Sequence, residues 1–509
     1  MQRYLTATTL VFAAGVAPAW AEITAQEAWQ ATVDAIVDSG GEIEATVVTT
    51  ADGLSISDIL ISSDLDDETT EGSIAIAMDS VVLTEDGDGG VLIDYPEVAV
   101  IAVVAEDETG AYEVTVDLTL DNVETYVAGT PDAMLYTYAG DGLRATMSEL
   151  LVDGDVVPPS VARFDGLFGA FEGATEIIES GGITTTAQDF ALADIAYDMA
   201  FPDPEEGSTI AAQGTLASLS MVSASDVPDD VDFEDLPAAV NAGFAFEFAL
   251  EMGAGESSGT YTEASGAQTS FASNSGAANM GMSMSGDAVA LSVSASALSQ
   301  SYTMADLPVP IEVDMNEVGL AMSVPTAPTD EPTTAEAALV IDGLAVSDFV
   351  WNMFDPAELL PRAPASVALD LVAEVTPLIS AFDVAAVARV SPQSPPALLH
   401  TLTLGTLVID AAGALVTGEG AFSFDNTDLQ TLPGFPRPEG AIDLELSGIN
   451  GLIDTLIQMG LLPQEQAMGA RMFLAMLTVP GAEPDTATSR IEFNSQGHLL
   501  ANGQRLPFP

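Results

Sequence analysis

The chain has 509 residues and no cysteine or lysine, and its 78 Asp and Glu face nine basic residues, all arginine, for a formal net charge of −69. That balance excludes nucleic-acid binding, which needs Lys and Arg against phosphates, and the missing cysteine excludes disulfides. A hydrophobic fraction of 48 % with positive mean hydropathy excludes disorder, so the acidic surface reads as adaptation to a salty habitat where screening is short-ranged.

The opening MQRYLTATTLVFAAGVAPAWAE has a short basic start at Arg3, an apolar run from Leu5 to Val16 and a small-x-small site at Ala19-Trp20-Ala21. This is the pattern of a secretory signal peptide over residues 1–21, with the mature chain starting at Glu22. The longest later apolar run, residues 98–105, falls far short of the about 20 residues a membrane helix needs. The expected location is a bacterial periplasm.

TAQEAWQATVDAIVDSGG predicts a helix. Thr24 and Glu27 form a capping-box pattern, Trp29, Val33, Ile36 and Val37 share one face, and Gly40-Gly41 ends it. Strands then follow one another with short turns. The clearest alternation is YEVTVDLTLD, where Tyr112, Val114, Val116, Leu118 and Leu120 alternate with polar residues, the mark of an antiparallel sheet with one solvated face. A helix is expected within 161–179 and more strands through 183–224. An acidic hinge, DVPDDVDFEDLP, precedes a strand with alternating Phe246, Phe248 and Leu250.

Residues 253–301 are rich in Ser, Gly and Ala. Here MGMSMSGDAVALSV predicts a hairpin about Gly286-Asp287, with Met284 opposite Val289, Met282 opposite Leu291 and Met280 opposite Val293. Three alternating methionines also fit a thioether copper site. With no histidine nearby and no cysteine, a core hairpin is the preferred reading. PTAPTDEPTT, Pro325 to Thr334, reads as a loop. Further on, VSDFVWNMFDPAELLPRAP is a short helix broken by Pro356 and Pro361. Residues 449–477 form a helical hairpin broken at Gly460 and Pro463, its second half carrying an apolar face of Met468, Met472, Ala475 and Met476. That hairpin is expected to cap a sheet, with a lipid surface as the alternative. DGLSISDIL at Asp52 echoes DGLAVSDFV at Asp342, a weak hint of duplication.

Four features bear on chemistry. GESSG, Gly255 to Gly259, fits the G-x-S-x-G pattern with Ser257 as nucleophile, but the following sequence is a poor helix, and an elbow needs one. EDGDGG, Glu85 to Gly90, resembles a calcium loop yet puts Val91 where that loop needs glycine; a hairpin turn fits better. His400 and His498 are the only histidines, each without an evident metal partner set. No catalytic, cofactor-binding or metal residue is assigned.

The TAQEAW helix running to GGEIEA, DLPAAVNAGFAFEF, the W-x-x-F-D-P-x-x-x-L-P-R-x-P segment from Trp351 to Pro364, GAIDLELSG before an apolar helix, and the closing N-G-Q together resemble the domain of unknown function family 2125, exported proteins of alphaproteobacteria. Ala363 stands where the pattern leads one to expect an acid. The resemblance implies location and architecture and carries no catalytic residue.

The expected fold is mainly β, with antiparallel curved sheets in two β-rich lobes, a few capping helices, and α+β character at the C-terminal end. The expected organisation is a signal peptide over 1–21, an N-terminal helix plus β lobe over 22–224, the acidic hinge and small-residue strands over 225–335, and a C-terminal β lobe with the helical hairpin over 336–509. The expected role is non-enzymatic, a periplasmic protein binding a lipid or other apolar ligand for envelope maintenance. A scaffold without ligand is the alternative, and a secreted serine hydrolase ranks last.

Overall fold

The structure, a computed structural model, describes residues 23–64, 71–107, 110–202, 207–229, 231–233, 235–305, 307, 309–391 and 394–506. The leader read over 1–21 and its junction at Glu22 lie outside the described residues. Strands take up 63 % of the described residues and helices 12 %, so the fold is mainly β and antiparallel as the alternation required. Two compact units are present, one comprising Met1–Asp229 with Phe248–Ala272, the other Asp230–Glu247 with Ser273–Pro509.

The first unit begins with the helix Ala25–Asp38. The Thr24 side chain accepts from the Glu27 N–H, and Glu27 accepts from the Thr24 N–H at 2.9 Å, the capping box the sequence required. Its buried stripe is Ala25, Ala28 and the partly buried Trp29, so Val37, expected on the packed face, is exposed. Small residues let the helix lie close on the sheet, where Ile23, Ile56, Val91 and Val127 form a fully buried cluster with it. The strands Glu42–Thr49, Gly53–Asp64 and Glu71–Glu85 pair in sequence.

The ladder branches at Glu71–Glu85. One arm runs through Val98–Asp107, Gly110–Asp121, Gly142–Val152 and Arg163–Phe168. The other runs through Gly90–Asp94, Glu124–Thr130, Ala133–Gly140 and Phe171–Ser180. Both rejoin on the long strand Ile183–Pro202, whose first half pairs with one arm and second half with the other. Residues 161–179, expected to include a helix, are thus mainly two strands. Gly166 explains the difference: with no side chain it lets Phe164 and Phe168 crowd against it on one face, packing that only a period of two provides.

The second unit is a meander. Ala278–Met284, Ala288–Met304, Ile311–Pro325, Thr333–Val346, Ala365–Pro377, Ala397–Ala411, Ala414–Asp425 and Arg437–Ser447 each pair with the next. Arg437–Ser447 then pairs with Thr486–Phe493, and the helices Ile449–Gln458 and Gln464–Leu477 occupy the connection between them. The expected hairpin break at Gly460 and Pro463 is there. The side of the second helix that faces the sheet is Ala467, Leu474 and Leu477, while Met468 and Met472 are 69 % and 74 % exposed. The expected apolar face is therefore real but turned outward. The two DGL segments do not correspond: Asp52 precedes a strand, whereas Asp342 lies near the end of one that leads into the helix Asp348–Asn352.

Candidate functional site

The predicted Met hairpin has the expected register, with Met284 opposite Val289, Met282 opposite Leu291 and Met280 opposite Val293. Its apolar side is not core, however. Met280 and Met282 are 37 % and 39 % exposed. The register of the following strands explains what they belong to. Met282 and Leu291 continue into Met322, Ala337, Leu371 and Leu404. The same row then passes Gly420 and reaches Ile442 and Ile491. A parallel row runs from Met280 and Val293 through Leu320, Leu339, Leu369 and Leu407. Side chains opposite one another in a ladder share a face, so one apolar surface crosses the whole sheet. Along it Val293, Leu320 and Met322 are exposed. The other face carries the charge: Glu419 lies opposite Asp443, which lies opposite Arg490 and pairs with it at 2.6 Å.

The apolar face ends in a cleft of about 800 Å³. Phe422, Phe424, Pro438 and Phe493 line it together with Val390, Pro395, Pro396, Leu398 and Leu399. A strap of residues 426–436 adds Leu429, Leu432 and Phe435. Phe422 and Phe493 meet edge-on at 6.3 Å across Gly440. This size and lining fall within the usual range for sites that take small apolar molecules. Sequence reasoning missed the cleft; the alternating Phe422 and Phe424 were a readable signal, but the strap that encloses them depends on one arginine.

That residue is Arg437, next to Pro438 and therefore on the charged side of its strand. Its guanidinium pairs with Asp425 at 3.0 Å and Asp428 at 3.2 Å and donates to the Ser495 carbonyl at 2.6 Å. Asp428 in turn accepts from the N–H groups of Gln430 and Thr431. The strap is thus fastened from behind. The Thr427 hydroxyl and N–H, then Arg437, hold the Asp425 carboxyl down to about 2. A depressed carboxyl stabilises the fold fully above the ordinary carboxylate range near pH ~4, and that contribution is lost as pH falls through the folded value. An apolar fluorescent probe bound in the cleft is therefore expected to be released between pH ~4 and ~2, with Asp425→Asn flattening that profile.

The other sequence candidates separate. Ser257 sits inside the strand Gly255–Thr262 opposite Gly214, with no helix after it, so it occupies no nucleophile elbow. Both histidines belong to the other unit. The His400 ring lies 2.8 Å from the Thr376 hydroxyl, and His498 closes a turn by donating its N–H to Asn494. EDGDGG is the hairpin turn expected. One Asp86 carboxylate oxygen accepts from the N–H groups of Asp88 and Gly90, the other from the Tyr126 hydroxyl, and these bonds hold its pKa below the usual range. Among the described residues no group of three or more His, Cys, Asp or Glu is placed to hold a metal ion, and no helix is long and apolar enough to cross a membrane.

Comparison with known families matches residues 236–502, just over half of the chain and every strand named above for the cleft-bearing meander, to a family described as uncharacterized proteins conserved in bacteria, the domain of unknown function family 2125. The chain belongs to that family. The match takes in the Trp351-to-Pro364 segment and every residue lining the cleft, and leaves out the N-terminal TAQEAW helix. No curated protein matches the chain. Membership of family 2125 carries no assigned activity.

Proposed function

We propose that this protein is a non-enzymatic, exported protein of the bacterial periplasm that binds a lipid or other apolar ligand in maintenance of the envelope. One observation supports this most: a half-exposed apolar surface crosses the sheet of the second unit and ends in the cleft floored by Phe422, Phe424 and Phe493. An acidic, water-facing protein gains solubility by covering apolar area, and a contiguous patch of this kind is a recognition surface more often than an accident. Filled sheets, which a scaffold needs, would have placed Met280, Met282 and Met322 under a second layer. The acidic opposite face keeps the protein soluble at high salt.

The test is to express the chain with export, purify it without detergent in high salt, and identify organic-extractable molecules by mass spectrometry beside an unrelated acidic protein. A stoichiometric apolar molecule absent from the control supports the reading; an extract identical to the control turns the weight to the scaffold. In a direct titration, Phe424→Ala is expected to weaken binding of an apolar probe about tenfold, the loss of part of one ring's contact area. Met282→Glu, on the half-exposed row, tests the surface beyond the cleft without emptying a core position.

A further inference from the structure

The head group of the ligand is legible from the arginines; this inference rests on the apolar-ligand reading above. Arg144, Arg163, Arg362, Arg437, Arg471 and Arg490 each pair with a carboxylate. In a chain with 78 acids that is the expected fate of a cation. Arg389 and Arg505 differ: among the described residues no carboxylate lies within 4.0 Å of either, and of the two only Arg389 adjoins residues that line the cleft. It is exposed, and the two residues that follow, Val390 and Ser391, line the cleft. The nearest acid in sequence, Asp383, is taken up elsewhere, its carboxylate accepting from the Ala386 N–H at 2.9 Å at the other end of the same turn. Arg389 Nε donates to the Ala385 carbonyl at 2.8 Å. That bond orients the side chain and leaves its two terminal nitrogens for a ligand, since a guanidinium has five donors in a planar fork. In the short helix Val384–Val387 just before it, Val384 and Val387 are 79 % and 46 % exposed, so the cation is flanked in sequence by exposed apolar side chains.

We propose that the cleft binds a single-chain amphiphile with an oxyanion head, carboxylate or phosphate, its tail between Leu399, Phe422, Phe424 and Phe493 and its head on the Arg389 guanidinium. The many acids of the molecule do not forbid this. Charges farther than about 8 Å are largely screened at physiological ionic strength, so the head responds to the nearest cation. A planar fork suits both carboxylate and phosphate.

The test compares three probes of one chain length, dodecanoate, dodecyl phosphate and monododecanoylglycerol, by calorimetric titration at pH 8 against the protein and its Arg389→Gln variant. The anions are expected to bind about five- to tenfold tighter than the neutral ester, the range of an exposed charge-assisted contact. Arg389→Gln is expected to remove that preference and leave the neutral ester unchanged. The stronger of the two anions identifies the head as carboxylate or phosphate. A ratio of anion to ester unaltered by Arg389→Gln overturns the proposal, as does an equal loss for all three probes, which would give Arg389 a merely structural role. Failure of every probe to bind the unmodified protein overturns the apolar-ligand reading itself.

Discussion

Gly440→Ala is expected to destabilise the protein by about 2–4 kcal/mol and to abolish probe binding at the cleft, through backbone strain together with overpacking. Gly440 lies near the start of Arg437–Ser447 with φ +152°, a conformation that L side chains rarely adopt. A Cβ there would stand 2.1 Å from the Ala421 carbonyl oxygen and 2.7 Å from Phe422 Cα. Both are backbone atoms, so no rotamer change relieves the clash and the strands must part. The parting falls where Phe422 and Phe493 meet over the glycine, the wall of the cleft. Chemical denaturation with a parallel probe titration reads both effects. Gly469→Ala, in the exposed helix Gln464–Leu477 where a new Cβ meets nothing within 4 Å, is the control and should stabilise slightly. If Gly440→Ala is as stable as the control, the packing described for the cleft is wrong.

What the sequence made legible was local. The period of two in YEVTVDLTLD and in Met280 to Val293 predicted strands and register, because side-chain alternation needs no knowledge of what lies across the sheet. Thr24 and Glu27 predicted a helix start for the same reason. Burial was not legible. Met282, Met468 and Val37 are apolar at the right spacing, yet all three are exposed, because spacing names a face and tertiary packing decides whether anything covers it. The missed strands at Arg163 and Phe171 depended on glycines making room for rings. The cleft depended on Arg437 reaching Asp425 at the end of its strand, Asp428 of the strap and the Ser495 carbonyl, which no window of sequence contains. Arg389 was counted with the other arginines at the sequence level. Only when six others acquire carboxylate partners, and the cleft is seen to begin at Val390, does its lack of one become information.

The Trp351-to-Pro364 segment, most specific in the resemblance, was legible as a pattern, and its physical meaning is a clamp. Asp355 is 1 % exposed. Its two carboxylate oxygens accept from the N–H groups of Leu359 at 3.0 Å and Leu360 at 2.8 Å, which fixes the turn after Pro356. Arg362 closes the segment, donating to Asp348 and Asn352 at 2.6 Å each and to the Asp355 carbonyl at 3.2 Å. The Trp351 and Phe354 rings meet at a tilt, their centroids 5.1 Å apart. Pro361 rests on Gly413, where a Cβ would come within 3.0 Å of its ring. The same turn carries the Gly413 carbonyl against Gly448, just before the helix Ile449–Gln458. Asp355→Ala leaves two N–H groups of a packed turn without partners, so its melting temperature is expected to fall by about 5–10 °C. Asp355→Asn keeps one acceptor oxygen but turns an NH₂ toward the second N–H, and should recover less than half of the loss. The Leu360 N–H, then that of Leu359 and the charge of Arg362, hold the Asp355 carboxyl below the usual range against the opposing effect of burial. Its stabilisation is therefore complete above the ordinary carboxylate range and lost on acidification below it, so the gap between the parent protein and Asp355→Ala should close as pH falls. A gap that stays constant into strong acid would mean that the carboxylate's charge plays no part, and that the clamp is held by Arg362 and the Trp351–Phe354 ring contact alone.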